Sequence, residues 1–346
     1  MPVTIKDIAR QAGVSHPTVS RALRNHPDIA PETASRIKKI AFELGYTPSA
    51  VARGLRTNRS EALGVIVTRI DDPFFSEVLE GIENAFQPAG YSLFVAASQR
   101  DFSREQSIVQ AMGERRVDGV IICSTPFSAE HSRKIQLYGV PCVVVNNQSA
   151  EEYKFSIYHD DRYGSRQITR HLLDLGHRKV AFLGNIHAGK TTQDRLNGFR
   201  DEMEAAGLNI PDGFVHCGPN GRPEGGFEGA RHFIQLAEPP TAVVCFNDMM
   251  ALGLMHGLHE AGLQVPTDCS VTGFDNIGIS AFTTPGLTTF DQPKYHLGFE
   301  AASMMLRLLN ERRELENQAG PQIVVLRGEL LLRASTAPPR KYTVFL

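Results

Sequence analysis

Seven short, almost unbroken apolar runs recur between residues 63 and 274, each separated from the next by a longer stretch of mixed polarity. They are Leu63–Val67, Ser92–Val95, Gly119–Ile122, Cys142–Val145, Lys179–Leu183, Ala242–Phe246 and Ser270–Phe274. A strand apolar on both faces must be covered on both faces, which an alternation of strand and amphipathic helix achieves in a parallel sheet. Val78, Ile82 and Phe86 supply such a helical stripe after the first run. The runs fall into two series, one up to residue 145 and one from 179. The body is therefore expected to be α/β, with two similar lobes, each a doubly wound parallel sheet.

The first sixty residues are of another kind. They carry ten Lys and Arg against four Asp and Glu, so +6, whereas residues 61–346 carry a net −8. A basic head on an acidic body is suited to meeting a polyanion. Thr4 is placed to cap a helix, with Asp7 three positions on and Ile5, Ile8 and Ala9 on one face. Gly13 breaks it, Ser15 caps a second helix with Pro17 in its first turn, and Val19 and Leu23 face inward. His16, Pro17, Ser20 and Arg21 are left on the outside. A third helix runs from Pro31 through Ile37, Ile40 and Leu44 to Gly45. Periodicity alone leaves a generic three-helix bundle and a helix-turn-helix unit equally open.

The segment TIKDIARQAGVSHPTVSRALRN resembles the head of the lactose-repressor (LacI/GalR) family, in register and at the position where that family carries it. The resemblance implies a helix-turn-helix DNA-binding domain over 1–46 and a hinge over 47–60. It also implies a two-lobed, periplasmic-binding-protein-like body over 61–346. His16, Pro17 and Arg21 then fall where the family reads base edges in the major groove. Thr18 and Ser20 fall where it meets phosphates or neighbouring bases, and the caps Thr4 and Ser15 are counted with this surface. In the hinge, Pro48-x-x-x-Ala52-x-x-Leu55 is similar to the family's hinge helix. Leu55 would be the wedge in the minor groove, and Arg53 and Arg56 would lie near phosphates. By composition alone this stretch, with Gly54 inside it, is a flexible linker. Folding only on DNA would give a remote ligand a marginal equilibrium to tip.

In sheets of this type ligands bind beyond the carboxyl ends of the strands. Asp71-Asp72-Pro73-Phe74-Phe75, Asn146, Asn247-Asp248 and Asp275-Asn276 all follow strands. Each taken singly is more readily a helix cap or a turn than a ligand contact. The segments HLLDLGHRKVAFLG, RLNGF, FNDMMALG, GFDN and LTTFDQP extend the family resemblance over nearly the whole chain. By that resemblance Arg195 clamps effector oxygens, Asp275 accepts from sugar hydroxyls, and Asn247 is a polar pocket contact. Phe74 and Phe75 line the first lobe's side, Asp160 lies near the effector-contacting loop, and Gln292 near the crossing strands. The family pattern departs at 218–223, which reads Gly-Pro-Asn-Gly-Arg-Pro where several members carry a stacking aromatic. Arg69 and Arg222 add charge there. The effector, expected to be a sugar or sugar derivative, is accordingly open to being a uronate, phosphosugar or other anion. Lobe one is expected over about 61–159 and 291–320, and lobe two over about 160–290 and 321–335.

Gly184-Asn185-Ile186-His187-Ala188-Gly189-Lys190-Thr191 fits the G-x(4)-G-K-T pattern of phosphate-cradling loops. The run Ala242–Phe246 does not end directly in an aspartate for magnesium, since Asn247-Asp248 follows Phe246. The resemblance assigns this stretch to the effector loop, with Lys190 and His187 as contacts. Competing readings are a nucleotide-binding enzyme, from this motif, and a sugar-binding transport protein, from the two-lobed body. The head, and an N-terminus MPVTIKDIAR unlike a secretory signal, favour a cytoplasmic operator-binding repressor. The five cysteines form no CxxC pair and read as reduced thiols, so no metal or cofactor is expected. A dimer on a near-palindromic operator is expected, because hinge helices pair and no C-terminal leucine heptad is present.

Overall fold

Thr4 starts the first helix by donating its N–H and Oγ1 hydroxyl to the Asp7 carboxylate, at 2.9 and 2.6 Å. Gly13 ends it in the left-handed region at φ 64, a conformation that costs glycine nothing. The computed structural model describes residues 3–46, 59–123, 137, 139–146, 154–311 and 320–340, in two units, 1–60 and 61–346. The first unit holds α1 (Ile5–Ala12), α2 (His16–Ala22) and α3 (Pro31–Glu43). Ile8, Val19, Ala22, Ile37 and Ala41 are buried between them, with Val14, Leu23 and Leu44 packed alongside. The expected hinge residues Arg53, Leu55 and Arg56 lie outside the described residues.

The second unit contains two six-stranded sheets. The first comprises β1 (Ala62–Val67), β2 (Ser92–Ala97), β3 (Gly119–Cys123), β4 (Cys142–Val145), β5 (Phe155–His159) and β11 (Gln322–Leu326). Its order is β11-β5-β4-β3-β1-β2 and every pairing is parallel. The second comprises β6 (Val180–Asn185), β7 (Val215–Gly218), β8 (Ala242–Cys245), β9 (Ser270–Asp275), β10 (Thr288–Asp291) and β12 (Glu329–Leu331). Its order is β12-β10-β9-β8-β6-β7, with β12 alone antiparallel. The expected doubly wound lobes are present.

One expected boundary is corrected. Residues 322–326 were assigned to lobe two by sequence, but Ile323 to Leu326 pair with Ser156 to His159 and complete the first sheet. Only Glu329–Leu331 of this tail joins the second. The chain thus crosses between lobes three times, near 160, 292 and 327. Lys294 braces the middle crossing. Its buried ammonium donates to the Asp275 and Asn276 carbonyls, at 2.6 and 3.1 Å, and to the Asp291 carboxylate at 3.2 Å.

The covering helices are α4 (Pro73–Phe86), α5 (Phe102–Glu114), α6 (Asp161–Asp174), α7 (Lys190–Ala205), α8 (Pro223–Ile234), α9 (Asp248–Glu260) and α10 (Lys294–Asn310). Helices α4 and α10 approach closely through glycine: a Cβ on Gly298 would lie 1.9 Å from the Val78 carbonyl oxygen. Val78, Ile82, Phe86, Leu297 and Ala301 fill the first lobe's core beside them.

Candidate functional site

The head presents its polar surface at the start of α2. His16, Pro17 and Arg21 are exposed, while Val19 and Ala22 between them are buried. Ser15 accepts the Thr18 N–H at 3.3 Å, and the two hydroxyls lie 2.8 Å apart. The Ser20 hydroxyl is engaged by Arg24, whose Nη2 donates to it at 3.1 Å. The helix start therefore offers one imidazole, one guanidinium and an apolar ring, held on a rigid base.

In the second unit the carboxyl ends of both sheets face a cleft of about 1410 Å³. Of the ten effector positions expected from sequence, Arg69, Asp72, Phe74, Phe75, Asn146, Arg195, Asn247 and Asp275 line it. Asp72 caps α4, accepting the Phe74 N–H at 3.1 Å, and burial raises its carboxyl above the ordinary value. Phe74 and Phe75 meet edge to face at 5.2 Å and form an apolar wall. Asn247 caps α9 through Oδ1, accepting from Met250 N–H at 2.9 Å, and its amide donates to the Gly221 carbonyl at 3.0 Å.

Arg195 is the most heavily held of these. Its Nε donates to Asp161 at 2.8 Å, Nη1 donates to the Phe246 carbonyl, and the guanidinium lies 3.7 Å from the Phe274 ring centre. Asp275 stands 3.8 Å from it at a backbone φ of 112. Burial pushes the Asp275 carboxyl well up, against the pull of Arg195. Gln292 donates its Nε2 hydrogen to Asp275, while its Oε1, and Oδ1 of Asn146, are buried without a hydrogen-bond partner. Two unsatisfied acceptors in a cleft wall call for a ligand that brings donors.

Two expected positions lie off the lining. Lys190 turns along its own helix to Asp194, at 2.7 and 2.8 Å, a spacing of four residues that a helix brings together. The G-x(4)-G-K-T stretch thus lacks a lysine aimed into its loop, although Gly189 and Thr191 do face the cleft. Asp160 caps α6, accepting the Tyr163 N–H at 3.0 Å, and pairs with Arg327 at 3.5 Å where the chain crosses between lobes. The charge that Arg69 and Arg222 bring is partly offset, since both donate to the one carboxylate of Asp71.

Sequence reasoning passed over Arg100, Arg104, Asn185 and Asn220, which line the same cleft. Arg100 and Asn220 lie in the loops after β2 and β7, Asn185 ends β6, and Arg104 stands in the first turn of α5. Extending the strand-end rule to β2, β6 and β7 would have found them.

Asp248, next to Asn247, is fully buried and off the lining. It accepts from Thr289 Oγ1 and from the Ile277 N–H at 2.8 Å, and so fixes the turn after Asp275. Burial raises its pKa to about 7. The folded chain then keeps a proton that the unfolded chain releases near pH 4. This contribution to stability is complete below the unfolded value and is lost as pH rises through 7. Between pH 4 and 7 stability should fall by up to about 1.4 kcal/mol per pH unit from this group. Urea denaturation of the parent and Asp248→Asn at pH 5, 6, 7 and 8 checks it; equal slopes in both proteins would refute the assignment.

Known proteins give the same picture. The model for bacterial regulatory proteins, lacI family, matches residues 4–49. That for a periplasmic binding protein-like domain matches 169–336. The HTH-type transcriptional repressor PurR of Actinobacillus pleuropneumoniae serotype 3 (strain JL03) is 34% identical over 334 residues, 96% of this chain and 98% of that one. The lac repressor dimer bound to operator and the anti-inducer ONPF superposes with a TM-score of 0.86 at 27% identity, covering 97% of this chain and 100% of that one. The transcriptional regulator CelR in its cellobiose complex gives 0.73 at 25% identity, covering 96% and 99%. A helix-turn-helix head joined to a two-lobed body of this kind makes a DNA-binding transcriptional regulator. This chain belongs to the lacI family of bacterial regulatory proteins and is a transcriptional repressor, not an enzyme.

Proposed function

We propose that the chain acts as a homodimer on a near-palindromic operator, and that a small molecule between the lobes sets its operator affinity. The observation that carries this reading is the cleft itself. It opens between two sheets joined by three crossings, with aromatic walls and the buried, unpartnered acceptors of Asn146 and Gln292. A sugar or sugar derivative supplies hydroxyl donors for those acceptors and an apolar ring face for Phe74 and Phe75. Support also comes from the similar proteins: the lac repressor was solved as a dimer on operator with an anti-inducer, and CelR with cellobiose. The operator would be found where the repressor acts, in the cytoplasm.

Ligand in the cleft would change the angle between the lobes, and in the dimer that would alter the spacing of the two hinge segments. A coupling of about 1–3 kcal/mol changes operator affinity roughly five- to 150-fold. A thermal-shift screen of sugars, purines and organic acids identifies the ligand. Fluorescence anisotropy of labelled operator, with and without it, then tests the coupling. Operator affinity unchanged at saturating ligand would refute control through the cleft. Helix-turn-helix contacts to phosphate also require affinity to fall with salt, linearly on a double-logarithmic plot.

A further inference from the structure

We propose that Arg100 anchors an anionic group on the effector, so that the ligand is an acidic sugar derivative carrying carboxylate or phosphate oxygens. The inference rests on the cleft being the effector site and specifies what that site selects.

Five arginines line the cleft, and their partners separate them. Arg195 is taken up by Asp161 and the Phe246 carbonyl. Arg69 and Arg222 share the single carboxylate of Asp71 at the mouth, which leaves two guanidiniums to one acid. Arg104 donates its Nε to the Ala97 carbonyl at 2.8 Å. Arg100 donates Nη1 to the His187 carbonyl at 2.9 Å. Among the described residues no carboxylate comes within 4.0 Å of Arg100 or Arg104.

Arg100 is the stronger anchor of the two. Burial depresses its pKa, so its charge is held at a cost that only Asp72, at longer range, offsets. Asp72 is committed to the α4 cap and is itself pushed toward its neutral form. Gln99 and Arg100 are both left-handed, at φ 55 and 59. Two such non-glycine residues in a row are strained, the kind of strain found at ligand sites. A guanidinium has five N–H donors in a planar fork, suited to two anionic oxygens at once. Facing it is the turn Asn185–Gly189 of the other lobe, and Lys190, which follows that turn and opens α7, is turned away to Asp194. An anion held by Arg100 would therefore bridge the lobes at the point where Arg100 already touches the second one.

The test is calorimetry and thermal shift on the full chain with matched probes: glucose against glucose 6-phosphate, and galactose against galacturonate. An acidic member should bind more tightly than its neutral partner. Arg100→Gln should weaken it about ten- to a hundred-fold, with Arg100→Lys intermediate. Neutral members binding as well as acidic ones, no acidic probe binding, or full acidic affinity in Arg100→Gln would each overturn the proposal. Thr191→Trp, which places an indole in the cleft, separates the two levels. Acidic binding lost there but kept in Arg100→Gln removes only the role of Arg100. Acidic binding that survives Thr191→Trp places the site elsewhere and removes the cleft reading as well.

Discussion

An Arg195→Ala protein should lose its response to effector and unfold at markedly lower denaturant than the parent. The two effects share one cause. The side chain of Arg195 is buried and lies between Asp161, the Phe246 carbonyl, Asp275 and the Phe274 ring. Its attraction holds the buried Asp161 carboxylate below its ordinary pKa, although desolvation acts strongly in the opposite sense. Removing the cation takes the Nε donor at 2.8 Å from that buried carboxylate, beside which His159 Nδ1 stands at 3.7 Å. Breaking one side of a buried pair costs about 3–5 kcal/mol, more than replacing both sides with apolar groups. Effector would also lose the guanidinium on the cleft floor. Urea denaturation measures the first effect and ligand-dependent operator anisotropy the second. A folded Arg195→Ala chain with a full ligand response would remove Arg195 from the effector site. Arg195→Lys should recover part of the stability but not the stacking on Phe274, because an ammonium has no planar face.

Arg21→Ala should weaken specific operator binding about ten- to a hundred-fold while leaving the head folded. Arg21 is exposed beside the buried Ala22, so truncation removes surface chemistry and no core volume. If Arg21 reads a guanine edge, its loss relaxes preference at one base pair in each half-site. If it meets phosphate instead, affinity falls evenly across sequences and the salt slope drops by about one per protomer, so about two for the dimer. Anisotropy against a selected operator and single-base variants, at fixed salt, separates these outcomes. Undiminished affinity for all of them would exclude Arg21 from the interface. His16→Ala in the same assay asks whether the neighbouring imidazole reads a second base.

The two lobes were legible in the apolar runs because a doubly covered strand leaves a local record: nearly every residue in it is apolar. Val143, Val144 and Val145 show this, and so do Val243, Val244 and Cys245. The short edge strand Gln322–Leu326 leaves a weaker record, because an edge strand tolerates a polar Gln322 and an exposed Val325. Nothing in that segment says that its partner lies some 160 residues earlier. For this reason the lobe boundary was drawn before it rather than after it. The cleft was legible in part. Asn247 and Asp275 announce themselves by standing at or just past strand ends, and Asp72 by capping the helix that follows β1. Lys190 and Asp160 obey similar local rules, yet their side chains have closer partners in Asp194 and in the α6 cap.

The charges separate most clearly what each level decides. By itself the sequence determined the basic head, its caps and turn, and the strand–helix alternation, since these depend on residues a few positions apart. It pointed to Arg69, Arg195 and Arg222, missed Arg100 and Arg104, and could assign partners to none of them. Asp71 joins Arg69, two positions away, to Arg222, 151 positions away, while Arg100 reaches a carbonyl 87 positions on. Which guanidinium is neutralised and which remains open depends on distances of a few ångströms, because an ion pair forms or fails over that range. Only the packing of the two lobes sets those distances.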